Sequence, residues 1–273
     1  MMKSLITRTT SAFLAISLLI TLYYWLGLDG LKVIVYFSIA AGAFELTNIL
    51  LPRETSTLHK ALFFITSLLV FHTSTHYPAV GMLGITIFIV FFLIVGVLTN
   101  QNFSSIDGLL NYQTKALLGF VYIGLLPSYA YKLLDLPNGL AWFCLLLATV
   151  FAGDIGAYLV GVLFGKHKMM PLLSPNKTWE GAIGGLLSSL FIGYLASRAL
   201  PHVPIMGLLA TTLITGVVAQ AGDFFESLLK RVSGVKDSGR IMPGHGGALD
   251  RIDGVLFASP IIMMAASLFE ALQ

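Results

Sequence analysis

Apolar runs long enough to cross a bilayer recur from one end of this 273-residue chain to the other. A helix needs about 17 to 25 mostly apolar residues to cross a hydrocarbon core about 30 Å thick. In that solvent every backbone polar group must be satisfied within the spanning structure, which leaves helices or closed barrels. The hydropathy pattern places spans at about 10–27, 31–51, 60–76, 79–99, 116–134, 138–164, 180–200, 205–230 and 254–272. Composition agrees: 11% of residues are charged, against about 25% in a soluble domain, and the mean hydropathy is +0.87. The sequence therefore predicts an all-α polytopic integral membrane protein of about nine transmembrane helices, with no room for a separate soluble domain. Cys144, the single cysteine, lies in an apolar run, so no internal disulfide is expected and its role is packing. The run from Ser11 to Leu26 follows Lys3 and Arg8 as a secretory signal would. Because everything downstream is equally apolar and no small-residue cleavage site follows, it is expected to be an uncleaved first helix.

The net charge of +3 says less than its placement. With the amino terminus cytoplasmic, the inner segments hold Lys3, Arg8, Arg53, Lys60, Lys115, Lys166, Lys168, Lys177, Lys230, Arg231, Lys236, Arg240 and Arg251. The outer segments hold Lys32, Lys132 and Arg198. That asymmetry follows the positive-inside rule and puts loops 165–179 and 231–253 on the cytoplasmic side, where nucleotides are. The expected organisation is about four helices over 1–115, ending in a polar loop from Asn100 to Lys115. A catalytic region of about five helices follows over 116–273. The sequence contains neither an internal repeat nor a low-complexity tract.

The polar residues of this apolar chain are concentrated in a few places. Ser227-Leu228-Leu229-Lys230-Arg231 leads through Lys236-Asp237 to Pro243-Gly244-His245-Gly246-Gly247-Ala248-Leu249-Asp250-Arg251-Ile252-Asp253. Cations and bare N–H groups suit a phosphate, and carboxylate oxygens suit a divalent metal such as Mg²⁺. Asp223, Glu226 and Lys230 are spaced i, i+3, i+7 and share one helix face. An ionised carboxylate deep in a membrane helix costs about 2.5–3.5 kcal/mol and requires a partner. It is read either as a structural ion pair with Lys230 or as a metal ligand. Asp250 and Asp253, again i and i+3, open the last helix. The bland reading is N-terminal capping, but consecutive Gly246 and Gly247 leave N–H groups open to phosphate oxygens. That combination favours an anion-plus-metal site with Asp223, Asp250 and Asp253 as its ligands. Lys230, Arg231, Lys236 and Arg240 form a basic patch explained either by topology and anionic headgroups or, for Lys230 and Lys236, by a bound phosphate. His245 is a general base, a phosphate donor or a turn residue.

A second block, Ser174-Pro175-Asn176-Lys177-Thr178-Trp179-Glu180-Gly181, leads into the seventh span. Thr178 is a candidate helix cap and Lys177 a candidate phosphate ligand, although no Walker P-loop is present. Trp179 is either an interfacial anchor or a base-stacking residue. Asp154 stands in the middle of the sixth span, as a functional residue or a partner for a neighbouring helix. Ala157, Gly161 and Gly165, and Gly181, Gly185 and Ser189, recur at intervals of four and predict close helix packing. Glu45 is either a pathway residue or a partner for Arg53 or Lys60.

The stretch from Ser227 to Asp253 resembles the motif of the phosphatidate cytidylyltransferases, or CDP-diacylglycerol synthases: Ser-x-apolar-Lys-Arg, then Lys-Asp, then Pro-x-His-Gly-Gly-x-x-Asp-Arg-x-Asp. Every polar position matches; Met242 and Ala248 are atypical apolar residues. Asp154-Ile155-Gly156-Ala157-Tyr158 with Gly165-Lys166, and the Ser174 to Gly181 block, look like the family's other two motifs. Ile155 and Val162 stand where that family more often has a hydroxyl residue and an arginine, so no role is carried over to them. The matches span about Asp154 to Asp253; the first 150 residues match only in hydropathy.

The resemblance implies an intramembrane enzyme that condenses CTP with phosphatidic acid to CDP-diacylglycerol and pyrophosphate. It also implies Mg²⁺, with room for a second cation, and a homodimer in a bacterial inner membrane with a cytoplasm-facing site. No nucleic-acid partner is expected. On this expectation Asp223, Asp250 and Asp253 hold metal, and Lys230, Lys236, Arg231 and Arg251 offset phosphate charge. Gly246 and Gly247 supply N–H donors, and Asp154, Ser174, Asn176, Lys177, Thr178 and Glu180 contact the substrates. The nearest rival is another CTP-dependent lipid enzyme, such as a polyprenol kinase or an archaeal-type CDP-lipid synthase. An ion-coupled transporter relaying through Asp154, Asp223 and Glu226 is remote, because the chain lacks the related halves usual for transporters.

Overall fold

The computed structural model describes residues 17–51, 54–77, 80–239, 241 and 246–272. The helices are α1 (Ser17–Leu26), α2 (Leu28–Leu50), α3 (Thr57–His76), α4 (Gly81–Leu98), α5 (Ile106–Leu133), α6 (Gly139–Phe164), α7 (Trp179–Ala196), α8 (Ile205–Val232) and α9 (Leu249–Glu270). A helix stands at each expected place, and among the described residues seven are long and apolar enough to cross a membrane. The other two are α1, which is short over its described part, and α3, where His59, His72, His76 and several hydroxyl residues dilute the apolar content. The chain is a nearly all-α multi-pass membrane protein. Two local expectations are corrected. Asn100 to Lys115 is mostly not a loop: a single 3₁₀ turn (Asn100–Asn102) precedes α5, whose start is capped by Ser105 Oγ accepting from the Gly108 N–H at 3.0 Å. Residues 168–178 form an antiparallel hairpin, β1 (Lys168–Met170) and β2 (Ser174–Thr178), pairing Lys168 with Thr178 and Met170 with Ser174.

The chain folds as two compact units that are not contiguous in sequence. One comprises 1–128 and 232–251, the other 129–231 and 252–273, so the expected division at 115/116 falls inside helix α5. In the first unit, Phe63 stacks on Phe120 at 5.5 Å, and Phe92 meets Phe120 edge-on at 4.8 Å. Gly119 lets α5 approach α3 here: a Cβ on it would lie 2.5 Å from the Phe63 ring. Phe120–Leu125 widens into a π-turn just ahead of Pro127, whose ring would otherwise crowd the preceding carbonyls and which has no N–H to give.

The second unit is built on α6 and α7, which run antiparallel in close contact. A Cβ on Gly156 would lie 2.0 Å from Ser188 Oγ and 2.9 Å from the Gly184 carbonyl. Gly181 faces the Ala157 carbonyl and the Gly161 Cα in the same way, and Gly185 faces the Gly153 carbonyl. In lipid, where apolar contact gains little over solvent, such backbone approach is what associates helices; the expected small-residue spacing is realised. α8 packs on α7 through Gly193 and Gly216, and α9 packs on α8 through Gly222 and Gly207. Pro260 interrupts α9, and Ser259 Oγ donates to the Leu256 carbonyl that Pro260 leaves without a backbone donor.

Two substitutions separate this packing from hydropathy. Gly156→Val should lower the detergent unfolding temperature sharply, because overpacking costs about 1–3 kcal/mol. Gly161→Ala, whose nearest neighbour would lie at 3.4 Å, should be nearly silent in the same thermal melt.

Candidate functional site

The second unit contains a cavity of about 480 Å³ whose wall combines α6, the hairpin and α8. Asp154 and Tyr158 come from α6, Asn176, Lys177 and Thr178 from β2, and Gln220 and Asp223 from α8. The sequence block from Ser174 to Gly181 folds as a strand that turns directly into a helix. Thr178 Oγ caps α7 by accepting from the Gly181 N–H at 3.2 Å, as expected of it. Glu180 accepts from the Lys166 N–H at 3.1 Å and from the His167 N–H and Nδ1, the last at 2.6 Å. It fastens the hairpin base and does not line the cavity. Ser174 pairs with Met170 in the strand. Arg231 Nε donates to the Leu173 carbonyl at the hairpin turn, 3.2 Å away. These contacts leave Asn176 and Lys177 as the side chains that β2 turns to the cavity.

Lys177 is the cation of the site. Its Nζ donates to Asp223 Oδ2 and lies 4.5 Å above the Phe224 ring. Three residues further along α8, Glu226 is 1% exposed and accepts from Lys230 Nζ at 2.6 Å, the i, i+4 pairing that the helix spacing predicts. Asp253, half-buried at the start of α9, accepts from the Gly254 N–H at 2.8 Å and lies within electrostatic reach of Asp223, Glu226 and Asp154. Four carboxylates and two lysines thus cluster within this unit. Among the described residues, no three His, Cys, Asp or Glu side chains already converge as a closed metal shell. The donors are nonetheless hard oxygens. Mg²⁺ characteristically takes one or two carboxylates, keeps waters and shares substrate phosphates, so this open set fits such an ion.

The glycine segment, in the first unit, carries a different arrangement. Glu45 of α2, 3% exposed, accepts from the Ala248 N–H at 3.1 Å, the Leu249 N–H at 2.9 Å and Ser238 Oγ at 3.1 Å. Asp250 Oδ2 accepts from the Gly247 N–H at 2.8 Å and the Ser238 N–H at 3.0 Å. The amino end of α9, where open N–H groups were expected to meet a phosphate, is engaged by the chain's own carboxylates. The glycines have a steric reason. Gly246 has φ +85°, and a Cβ on Gly247 would lie 2.0 Å from Ser238 Oγ and 2.3 Å from Glu45 Oε2. The sequence offered Glu45 a pathway role or a pairing with Arg53 or Lys60, whereas its donors are Ser238, Ala248 and Leu249. Its partners stand about two hundred residues away, and the i, i+4 logic that finds Lys230 cannot reach them. Lys236 and Arg251 are exposed; His245 and Arg240 lie outside the described residues.

An apolar helical frame with a charged cavity in one of its units describes a multi-pass membrane protein. Comparison with known proteins is specific. The sequence model of the cytidylyltransferase family matches residues 6–269, and the chain belongs to that family. Proteins named phosphatidate cytidylyltransferase from Staphylococcus epidermidis and Staphylococcus aureus are 40% identical over 167 residues. One from Staphylococcus haemolyticus is 41% identical over the same length. The matched segment is 61% of this chain, and the chain spans about 62% of the length of those curated relatives.

Glu45→Gln should lower stability by about 1.5–3 kcal/mol, because it sets an amide donor among backbone donors and removes a charge-assisted acceptor. The expected readout is a lower melting temperature together with faster protease cleavage between residues 233 and 248. An unchanged melting curve would mean that these hydrogen bonds contribute little.

Proposed function

We propose that this protein is a phosphatidate cytidylyltransferase, joining CTP to phosphatidic acid to give CDP-diacylglycerol and pyrophosphate. The main support is the cavity itself, where Lys177 and Asn176 share a wall with Asp223 and Asp154 within a frame of apolar helices long enough to cross a membrane. The name phosphatidate cytidylyltransferase borne by the 40%-identical relatives agrees with that chemistry. A phosphomonoester oxygen of the lipid attacks the α-phosphorus of CTP. A new P–O bond forms, the α–β bridging bond breaks, and its electron pair leaves with pyrophosphate. The lipid brings its own nucleophile, so the protein has to position two anions and offset their charge.

Lys177, now paired with Asp223, is the cation within the cavity, and an incoming phosphate would compete with that carboxylate for it. Lys230, Lys236, Arg231 and Arg251 belong to the same proposal as further basic residues, and Asn176 as a neutral donor. Asp223 and Asp253 are proposed to hold Mg²⁺, with Asp250 added on its spacing in the sequence. When bound, the ion would neutralise phosphate charge. Sidedness toward the cytoplasm, placement in a bacterial inner membrane and a homodimeric state complete the reading.

The test is purified protein in mixed micelles with phosphatidic acid, labelled CTP and Mg²⁺, followed by separation of the lipid product. Label in CDP-diacylglycerol is expected. ATP in place of CTP, or chelation of the metal, should abolish it; transfer of only a terminal phosphate from CTP would indicate a lipid kinase instead. Lys177→Ala and Asp223→Asn should each lower turnover by about a hundred-fold or more, the scale of losing one electrostatic contact to a transferring group. Their melting temperatures should stay near that of the parent. Near-normal turnover in either variant would remove the cavity from the chemistry.

A further inference from the structure

The hairpin between α6 and α7 has a composition that neither the cavity nor the helix packing explains. Its turn, Met170-Pro171-Leu172-Leu173, is apolar, with Leu172 93% and Met170 40% exposed. Its first limb carries exposed Lys166, His167 and Lys168. Both limbs grow directly out of candidate membrane spans, α6 ending at Phe164 and α7 beginning at Trp179. Five strand residues extend about 17 Å, so the tip stays within reach of the surface from which the spans emerge. Trp179, 53% exposed at the hairpin root, is the kind of side chain that settles at headgroup level.

We infer that this hairpin docks on the bilayer surface: Met170 and Leu172 enter the headgroup region, and Lys166 and Lys168 lie against anionic lipid phosphates. An apolar tip beside cations fits that surface from both sides. Burying a fully exposed leucine is favourable, and lysines near an anionic leaflet are attracted to it over about a Debye length. Water would meet the lysines but leave Leu172 uncovered. The arrangement bears on the cavity because β2 presents Asn176 and Lys177 to it, and because Arg231 holds the turn through the Leu173 carbonyl. A docked tip and a tethered turn would fix that strand at two points. The inference rests on the chain crossing a bilayer and is independent of which phosphate the cavity takes.

The test is a nitroxide label at Leu172→Cys in a Cys144→Ala background, with the full chain in lipid vesicles. Accessibility to oxygen and to a water-soluble nickel chelate is compared with labels at Ile183→Cys, on an exposed apolar helix face, and at Gln101→Cys, between α4 and α5. Label 172 should resemble 183, shielded from nickel and open to oxygen. The shielding should deepen when phosphatidylglycerol is added to phosphatidylcholine vesicles. Lys166→Gln with Lys168→Gln should reduce that response, by about five-fold per lysine in the docking equilibrium. Nickel accessibility at 172 equal to that at 101 would overturn the inference. So would dipolar broadening from a second label, which would make the tip a contact between copies. Leu172→Asp gives an independent reading: turnover should fall in vesicles but not in detergent micelles, and equal turnover in both would also overturn it. Because label accessibility needs no substrate, the docking can fail or stand separately from the proposed reaction.

Discussion

A carboxylate away from water must be answered by a cation or by donated hydrogens, and the described carboxylates of this membrane protein divide by which answer they receive. Asp223 and Glu226 are answered by lysine, Lys177 and Lys230 respectively. Glu45 is answered by two backbone N–H groups and a hydroxyl. Glu180 is answered at the hairpin base by backbone N–H groups and His167. Glu270 accepts from Trp142 Nε1 at 2.6 Å, Asn138 Nδ2 at 3.0 Å and His202 Nε2 at 3.1 Å. The difference matters for chemistry. A lysine paired with a carboxylate can exchange that partner for a phosphate, since both present anionic oxygen to the same ammonium. A carboxylate held by helix N–H groups has no equivalent exchange without opening the fold, because leaving those donors buried and unmade costs more than any surface pair returns. By this criterion the exchangeable pair of the second unit is Lys177–Asp223, whereas Glu45, Glu180 and Glu270 are held by donated hydrogens.

Asp250 is the instructive case. Its sequence setting, two glycines before it and Asp253 three residues after it, suggests a metal ligand beside a phosphate cradle. In the fold, one of its oxygens already accepts from the Gly247 and Ser238 N–H groups. The Gly246-Gly247 pair is explained by how closely Asp250, Ser238 and Glu45 approach the backbone. A glycine pair ahead of a helix therefore has two physical readings, room for a ligand and room for the protein's own acids. Only the position of a residue two hundred places earlier distinguishes them.

The helices were legible because hydropathy is a one-dimensional signal: each span is a contiguous run whose length is set by the bilayer. The α6–α7 contact was legible for a related reason, since small residues four apart on each of two neighbouring helices mark the faces that must meet. Thr178 as a cap and Glu226 with Lys230 as a pair are local in the same sense. What escaped was long-range or depended on marginal local energies. Lys177 and Asp223 are forty-six positions apart, and nothing in either motif names the other. The segment from Asn100 to Lys115 looked like a loop because it is polar, yet Ser105 supplies a cap and the turns beyond it continue into the membrane helix. The hairpin was hidden by its shortness, being fastened by Glu180 and Arg231 more than by strand propensity.

The close approach of α6 and α7 also explains why the cavity draws its charged side chains from several elements. A surface made of Gly153, Gly156, Gly161, Gly181, Gly184 and Gly185 brings two backbones together but leaves no side chain long enough to reach a phosphate. Asp154 is what α6 contributes to the cavity wall in charge, and it is an acid. The cation must therefore come from beyond the packed faces, and the opposing acid from a third helix. β2 supplies Lys177 as it leaves the hairpin, one residue before the Thr178 cap of α7, and α8 supplies Asp223. Placing the lysine immediately ahead of a capped helix end sets its backbone by the cap geometry, while its long side chain stays adjustable. An ammonium held in that way can change partners without disturbing the glycine contact beneath it.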